Sequence, residues 1–211
     1  MNALDASLRK TVPGVALEHR REGLRAILAP DCAAVIVRRQ PPPSFQSWIG
    51  ELKPERLPRG RVTLPPERVR DALSQLCSAA ETPDGIERDW LVDDAASLAE
   101  SFADLMKARY LRLRMDVVTT NACRKFHVDA ILARLICTYR GTGTEYGVSI
   151  DHEDPTRVFT LPTGVPMVMR GTLWPEEPRS GLLHRSPPIE GTGETRLVLV
   201  LDPIHDLEAD A

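Results

Sequence analysis

The chain has 211 residues, of which 42% are hydrophobic and 27% charged, with a net charge of −3. Such a composition belongs to an ordinary globular protein with a sizeable core and excludes a disordered tail. The slight acidity gives no general attraction to nucleic acid, although basic clusters occur at Arg38-Arg39 and from Arg109 to Arg114. No apolar run approaches the roughly 20 residues that cross a bilayer. The opening MNALDASLRKTVPG carries no apolar signal segment, so a cytoplasmic location is expected.

In chain order, Asp31 to Arg39 contains a β-branched run that reads as a strand, stopped by Pro41-Pro42-Pro43, which cannot donate to a ladder. Ser44 is the expected N-cap of a short helix through Leu52, with Phe45, Trp48, Ile49 and Leu52 on one face. Lys53 to Pro66, with four prolines, reads as an extended connector. Pro66 suits a first helical turn, and Val69, Leu73, Leu76 and Cys77 continue at helical spacing to about Ala80. Thr82 to Gly85 is a turn by composition. A longer helix from about Trp90 to Lys107 carries the apolar stripe Leu91, Ala95, Leu98, Phe102, Leu105 and Met106, which is core.

From Tyr110 the pattern changes to strands. Leu111 to Val118 alternates, as a half-buried strand does, and Arg134 to Arg140 places Leu135, Cys137 and Tyr139 on one side. Gly141 to Gly143 and Gly147 read as turns. Phe159 to Leu161, Val165 to Arg170 and Leu197 to Leu201 are further short strands. Short strands separated by Gly- and Pro-rich turns point to an antiparallel sandwich or barrel.

The chemistry concentrates at Phe126-His127-Val128-Asp129. In extended backbone, residues i and i+2 project to one side, so His127 and Asp129 offer an imidazole nitrogen and a carboxylate oxygen together. His184, in Gly181-Leu-Leu-His-Arg-Ser-Pro-Pro, is the candidate third ligand of a 2-His-1-carboxylate site that leaves positions open for substrate and oxygen. The competing reading is a histidine hydrogen-bonded to a neighbouring carboxylate at a strand end. The four cysteines, Cys32, Cys77, Cys123 and Cys137, form no C-x-x-C pair and are expected to be reduced. Cys123, four residues before His127, is a possible additional ligand that would favour zinc; its other reading is a small buried hydrophobe. Glu145 is a further possible ligand, against a solvated hairpin carboxylate. Arg185 adds a cation beside the site, and Arg124 and Lys125 flank the triplet. His19, His152 and His205 read as solvent-exposed, and Trp174 as a packing aromatic. No phosphate-binding Gly-rich loop and no G-x-S-x-G elbow is present.

The order strand, His127-x-Asp129, strand, hairpin, strands, His184, and Arg196 opening the last strand resembles the double-stranded β-helix of Fe(II)- and 2-oxoglutarate-dependent oxygenases. The resemblance covers about residues 110 to 203. It implies His127, Asp129 and His184 as iron ligands and Arg196 as the group that binds 2-oxoglutarate, since a guanidinium grips a carboxylate in bidentate fashion. The phrases FHVD, RLICTYRGTGTEY, RGTLWP and GLLHRSPP more closely resemble a bacterial family of unknown function. Its members are encoded near zinc-handling GTPases, which implies a link to metal supply.

The expected fold is therefore α+β: a C-terminal cupin-like jelly roll, residues 110–211, with a mainly helical N-terminal extension, residues 1–109, packed on it. Three functions remain open. The first is an Fe(II)/2-oxoglutarate oxygenase acting on a small-molecule or peptide substrate. The second is a zinc-binding protein of metal homeostasis, and the third a metal-free binding module. Neither nucleic acid nor a membrane is an expected partner.

Overall fold

A computed structural model describes residues 12–149, 153–175 and 181–207; His152 lies outside them. The strands are β1 (Val15–Glu18), β2 (Ala34–Val37), β3 (Gly60–Leu64), β4 (Tyr110–Val118) and β5 (Ala133–Arg140). They continue as β6 (Glu145–Val148), β7 (Phe159–Thr160), β8 (Pro166–Arg170), β9 (Leu182–Arg185) and β10 (Arg196–Ile204). The helices are α1 (Pro43–Glu51), α2 (Val69–Ala79) and α3 (Ile86–Met106), with a 3-10 segment at Arg21–Leu28.

A seven-stranded sheet runs in the order β1-β2-β8-β5-β10-β4-β3, and a three-stranded sheet in the order β7-β6-β9. All pairings are antiparallel except β1 with β2. Alternation along the strands creates two apolar layers. On β10, Leu197, Leu199 and Leu201 face a core shared with Phe45, Ile49, Leu73, Leu98 and Phe102 of the three helices. Val198 and Val200 face the opposite way, into a second core with Tyr146, Leu161 and Leu182. The large sheet is thus covered by helices on one face and by the small sheet on the other.

Several sequence expectations change. The first 109 residues are not simply a helical extension, because β1, β2 and β3 occupy both edges of the large sheet. The proline-rich connector contains β3, whose middle residues are exposed; an edge strand needs no apolar alternation when pairing with β4 fixes it. Pro42, not Ser44, caps α1, with Pro43 preset for the first turn. Gly147 lies within β6 rather than in a turn, and a Cβ there would come within 2.5 Å of Arg157 O. No described helix is long and apolar enough to cross a membrane.

Helices and sheet are pinned by one buried carboxylate. Asp94 of α3 accepts hydrogen bonds from both terminal nitrogens of Arg39, from Tyr139 Oη at 2.7 Å and from Arg21 at 3.3 Å. Burial, followed by the Asp94 charge, holds the Tyr139 hydroxyl well above its ordinary pKa, so it serves as a donor. Removing Asp94 strands a buried guanidinium and a phenol. Asp94→Ala is expected to lower the unfolding free energy by about 3 kcal/mol, read from the urea midpoint at unchanged slope. The Asp94→Leu/Arg39→Met double variant should recover part of that loss, and equal midpoints for Asp94→Ala and wild type would contradict the pinning role.

Candidate metal centre

The segment between β4 and β5 runs as an irregular extended strand alongside β9. His127 N donates to His184 O at 3.1 Å and His184 N donates to His127 O at 3.0 Å. This reciprocal pair is the hydrogen-bonded pairing of antiparallel strands, in which opposed side chains emerge on one face. The two rings accordingly lie with centroids 4.5 Å apart. Asp129, two residues on, returns to the same side.

The other flank of the segment is held by the turn after β8. Thr172 N donates to Asp129 O, Leu173 N to Ile131 O and Gly171 N to Leu132 O. Gly171 is required by contact: a Cβ would come within 2.0 Å of Ile131 O and 2.8 Å of Asp129 O. On the His184 side, Ser186 N donates to Cys123 O. The segment that carries His127 and Asp129 is therefore fixed on both edges by backbone.

One ligand atom from each of His127, Asp129 and His184 lies within 4.8 Å of the others, the one such cluster among the described residues. Asp129 Oδ2 is 3.1 Å from His184 Nε2, and Asp129 Oδ1 is 3.6 Å from His127 Nε2. Two donors bound at right angles to one ion at about 2.1 Å sit roughly 3 Å apart, so the set suits a divalent cation. His127 Nδ1 is 2.8 Å from Lys125 O. A carbonyl only accepts, so Nδ1 carries a proton and Nε2 is the ring nitrogen turned towards the cluster. Asp129 Oδ2 is buried and faces both His184 Nε2 and Arg134 Nη1.

Arg134 of β5 supports the carboxylate: Nη1 is 2.6 Å from Asp129 Oδ2, while Nε and Nη2 clasp Asp202 of β10 at 2.7 and 2.9 Å. Burial pushes the Asp129 carboxyl up, but the hydrogen bond and charge of His184, then Arg134 and His127, outweigh it and hold the pKa at about 2. The group is an anion at any ordinary pH, as a ligand must be. Arg134 and Asp202 escaped the sequence reading. Their signal was present, as charged residues inside strands otherwise apolar on both faces.

The triad opens into a cavity of about 270 Å³ also lined by Arg114, Asp116, Cys123, Arg134, Thr144, Arg185 and Arg196. Arg196 is 1% exposed. Its Nε donates to Thr142 O at 2.6 Å, Nη2 reaches Thr138 Oγ1 at 3.5 Å, and no carboxylate among the described residues pairs with it. Burial pushes its pKa down to about 10, against the pull of Glu194 and Glu145. The Gly141–Gly143 turn makes this seat. Glu194 accepts from Thr142 N and Oγ1, and a Cβ on Gly143 would come within 1.8 Å of Leu161 O.

The remaining candidates are placed otherwise. Glu145 is bound to Arg185 Nε at 2.6 Å and stands outside the cluster. Arg185 also lies over the Phe126 ring at 4.4 Å. Cys123 is exposed rather than a buried hydrophobe, and lines the cavity without joining the cluster. Trp174 packs beneath Arg170 at 4.5 Å, away from the site.

Over residues 18–202 the chain matches the family described as a protein of unknown function (DUF1826), and it belongs to that family. No curated protein matches it by sequence. Its fold is shared with the dioxygenase for auxin oxidation 1 from Arabidopsis thaliana, solved in complex with 2-oxoglutarate. The match has a TM-score of 0.54 and 12% identity over 94% of each chain. The dioxygenase for auxin oxidation in rice is similar with a TM-score of 0.51 and 12% identity, over 94% of this chain and 84% of that one. At such identities the likeness is one of fold.

Cysteine reactivity checks the arrangement. Cys32, Cys77 and Cys137 are buried, and burial raises all three thiols, Cys137 to about 12, so none is a thiolate near neutrality. A maleimide at about pH 8 should label native protein at Cys123 alone and unfolded protein at all 4 cysteines. Labelling of Cys137 in native protein would show that β5 is not covered as described.

Proposed function

We propose that the chain is a mononuclear non-haem iron oxygenase that uses 2-oxoglutarate, built on a double-stranded β-helix and acting on a small molecule or peptide. The observation that carries the reading is Arg196, a nearly inaccessible cation that no carboxylate among the described residues pairs with, in the same cavity as two imidazoles and a carboxylate. An unpaired buried charge costs several kcal/mol. A dianionic ligand that meets both Arg196 and a metal at the triad offsets that cost. Arg196 would take the far carboxylate of the 2-oxo acid, with the Thr138 hydroxyl beside it.

When bound, iron(II) would activate dioxygen, with one oxygen atom entering a substrate C–H bond and the other entering the 2-oxo acid as it is oxidised to succinate and carbon dioxide. The chain's own contribution is placement. His127 and His184 are set by backbone pairing, and Asp129 is kept ionised by His184 and then by Arg134. Val198, Val200 and Ile136 limit water at the cavity wall. A three-residue ligand set leaves positions for the 2-oxo acid and oxygen.

Metal content of protein purified without chelator or added metal, followed by anaerobic titration with iron(II) and 2-oxoglutarate, tests this. Wild type is expected to bind one iron and to develop a visible absorption band on adding 2-oxoglutarate. His127→Ala, Asp129→Ala and His184→Ala should lose the metal. Arg196→Met should keep iron but weaken 2-oxoglutarate by roughly 100-fold, the loss of a charge-assisted bidentate pair. Stoichiometric zinc with no 2-oxoglutarate band would instead support a zinc-handling protein, the setting in which a link to zinc-handling GTPases would operate. No metal under either condition would leave a binding module.

A further inference from the structure

Four arginines line the cavity, and three have partners or a proposed ligand. Arg134 is held by Asp129 and Asp202, Arg185 by Glu145, and Arg196 is assigned to the 2-oxo acid. The fourth, Arg114, stands on β4 opposite Val200, on the same face as Asp116, which is opposite Val198. Arg114 Nε is buried with no hydrogen-bond partner among the described residues. Its one ion pair among the described residues is a long one, 3.6 Å from Nη2 to Asp202 Oδ2, an oxygen that already accepts from Arg134 at 2.9 Å. Burial and then the Arg134 charge push the Arg114 pKa down, against the pull of Asp202 and Asp116.

Position separates Arg114 from the 2-oxo acid. Arg196 pairs in register with Val118 and Arg114 with Val200. The two guanidinium-bearing positions are therefore four residues apart along the ladder, roughly 13 Å. Arg114 belongs to the end where Arg134 reaches Asp129, beside the triad. Val118, Ile136, Val198 and Val200 add an apolar wall between these ends.

We propose that Arg114 anchors the organic substrate by its carboxylate, so that the substrate class is a small monocarboxylic acid with an apolar body. This rests on the oxygenase reading of the triad and Arg196. A carboxylate fits better than a phosphate. One guanidinium fork matches one carboxylate, and Asp116, two residues away on the same face, disfavours a second negative charge.

The test is calorimetric titration with acetate, butyrate and phenylacetate, each against its amide, on anaerobic protein loaded with iron(II) and 2-oxoglutarate. At least one acid should bind roughly tenfold or more tightly than its amide. Arg114→Met should abolish that preference while leaving the 2-oxoglutarate band intact. Arg114→Lys should retain part of it, and Asp116→Asn should tighten acids without affecting amides. The last variant keeps the test decisive if Arg114→Met does not fold.

Acids and amides binding equally across the whole panel, or an unchanged preference in Arg114→Met, overturns the proposal. Loss of the 2-oxoglutarate band in Arg114→Met also overturns it, by placing Arg114 in the co-substrate site. A parallel titration on protein with zinc alone separates the two readings. An Arg114-dependent acid preference without any 2-oxoglutarate band in wild type keeps the anchor and removes the oxygenase.

Discussion

Two backbone hydrogen bonds, between His127 and His184, are the constraint on which the site depends. They join residues 57 positions apart in sequence and do so in the antiparallel pairing that puts opposed side chains on one face. Side-chain hydrogen bonds alone would leave the rings free to turn; backbone pairing fixes where each Cβ starts. Asp129 then follows from the two-residue period. The pairing exists because β9 is the edge of the small sheet and the ligand segment has its second edge closed by the turn at Gly171, which admits no side chain. A three-residue cluster is thus produced by sheet geometry, with each ring needing only one further contact to settle its orientation.

The polar residues behind the triad tie it to the large sheet. Asp129, Arg134, Asp202 and Arg114 form an alternating chain of charges that crosses β5, β10 and β4. Asp129 stays anionic despite burial through His184 first and then Arg134 and His127. The same chain is unbalanced at its end, since Asp202 serves two guanidinium groups. Charge is therefore complete around the ligands and incomplete at the cavity walls, at Arg114 and Arg196. That distribution is what the proposed anion sites at the walls rest on.

Much of the site was legible in the sequence because its geometry is local or periodic. His127 and Asp129 share a side through a two-residue spacing, and the helices announce themselves through Phe45 and Ile49 or through Val69, Leu73 and Cys77. What was not legible depends on partners distant in sequence. β3 has no apolar alternation of its own and becomes a strand through β4. Glu145 reads first as a solvated hairpin carboxylate and second as a ligand, and neither reading shows its ion pair until β6 and β9 pair and set Arg185 opposite it. Gly147 reads as a turn because the sequence does not show the Pro155–Arg157 segment pressing on β6. Arg114 and Asp116 read as the solvent face of an alternating strand. In the fold that face looks onto a cavity, and alternation reports which side a residue is on but not what covers it.

The balance between iron and zinc turns on the donor set and on Arg196 together. Two imidazoles and a carboxylate serve either ion, so the ligands by themselves decide nothing. A closed structural zinc site needs a fourth protein donor, and Cys123 supplies none at the cluster although its backbone carbonyl is fixed by Ser186 only two residues from His184. An open site needs something to fill its remaining positions, and the same cavity holds the buried Arg196 guanidinium, which meets Thr142 and Thr138 but no carboxylate among the described residues. A zinc store gains nothing from that arrangement. A site that must recruit a dianion to its metal gains the ligand's binding energy and its orientation at once, and this asymmetry favours the oxygenase.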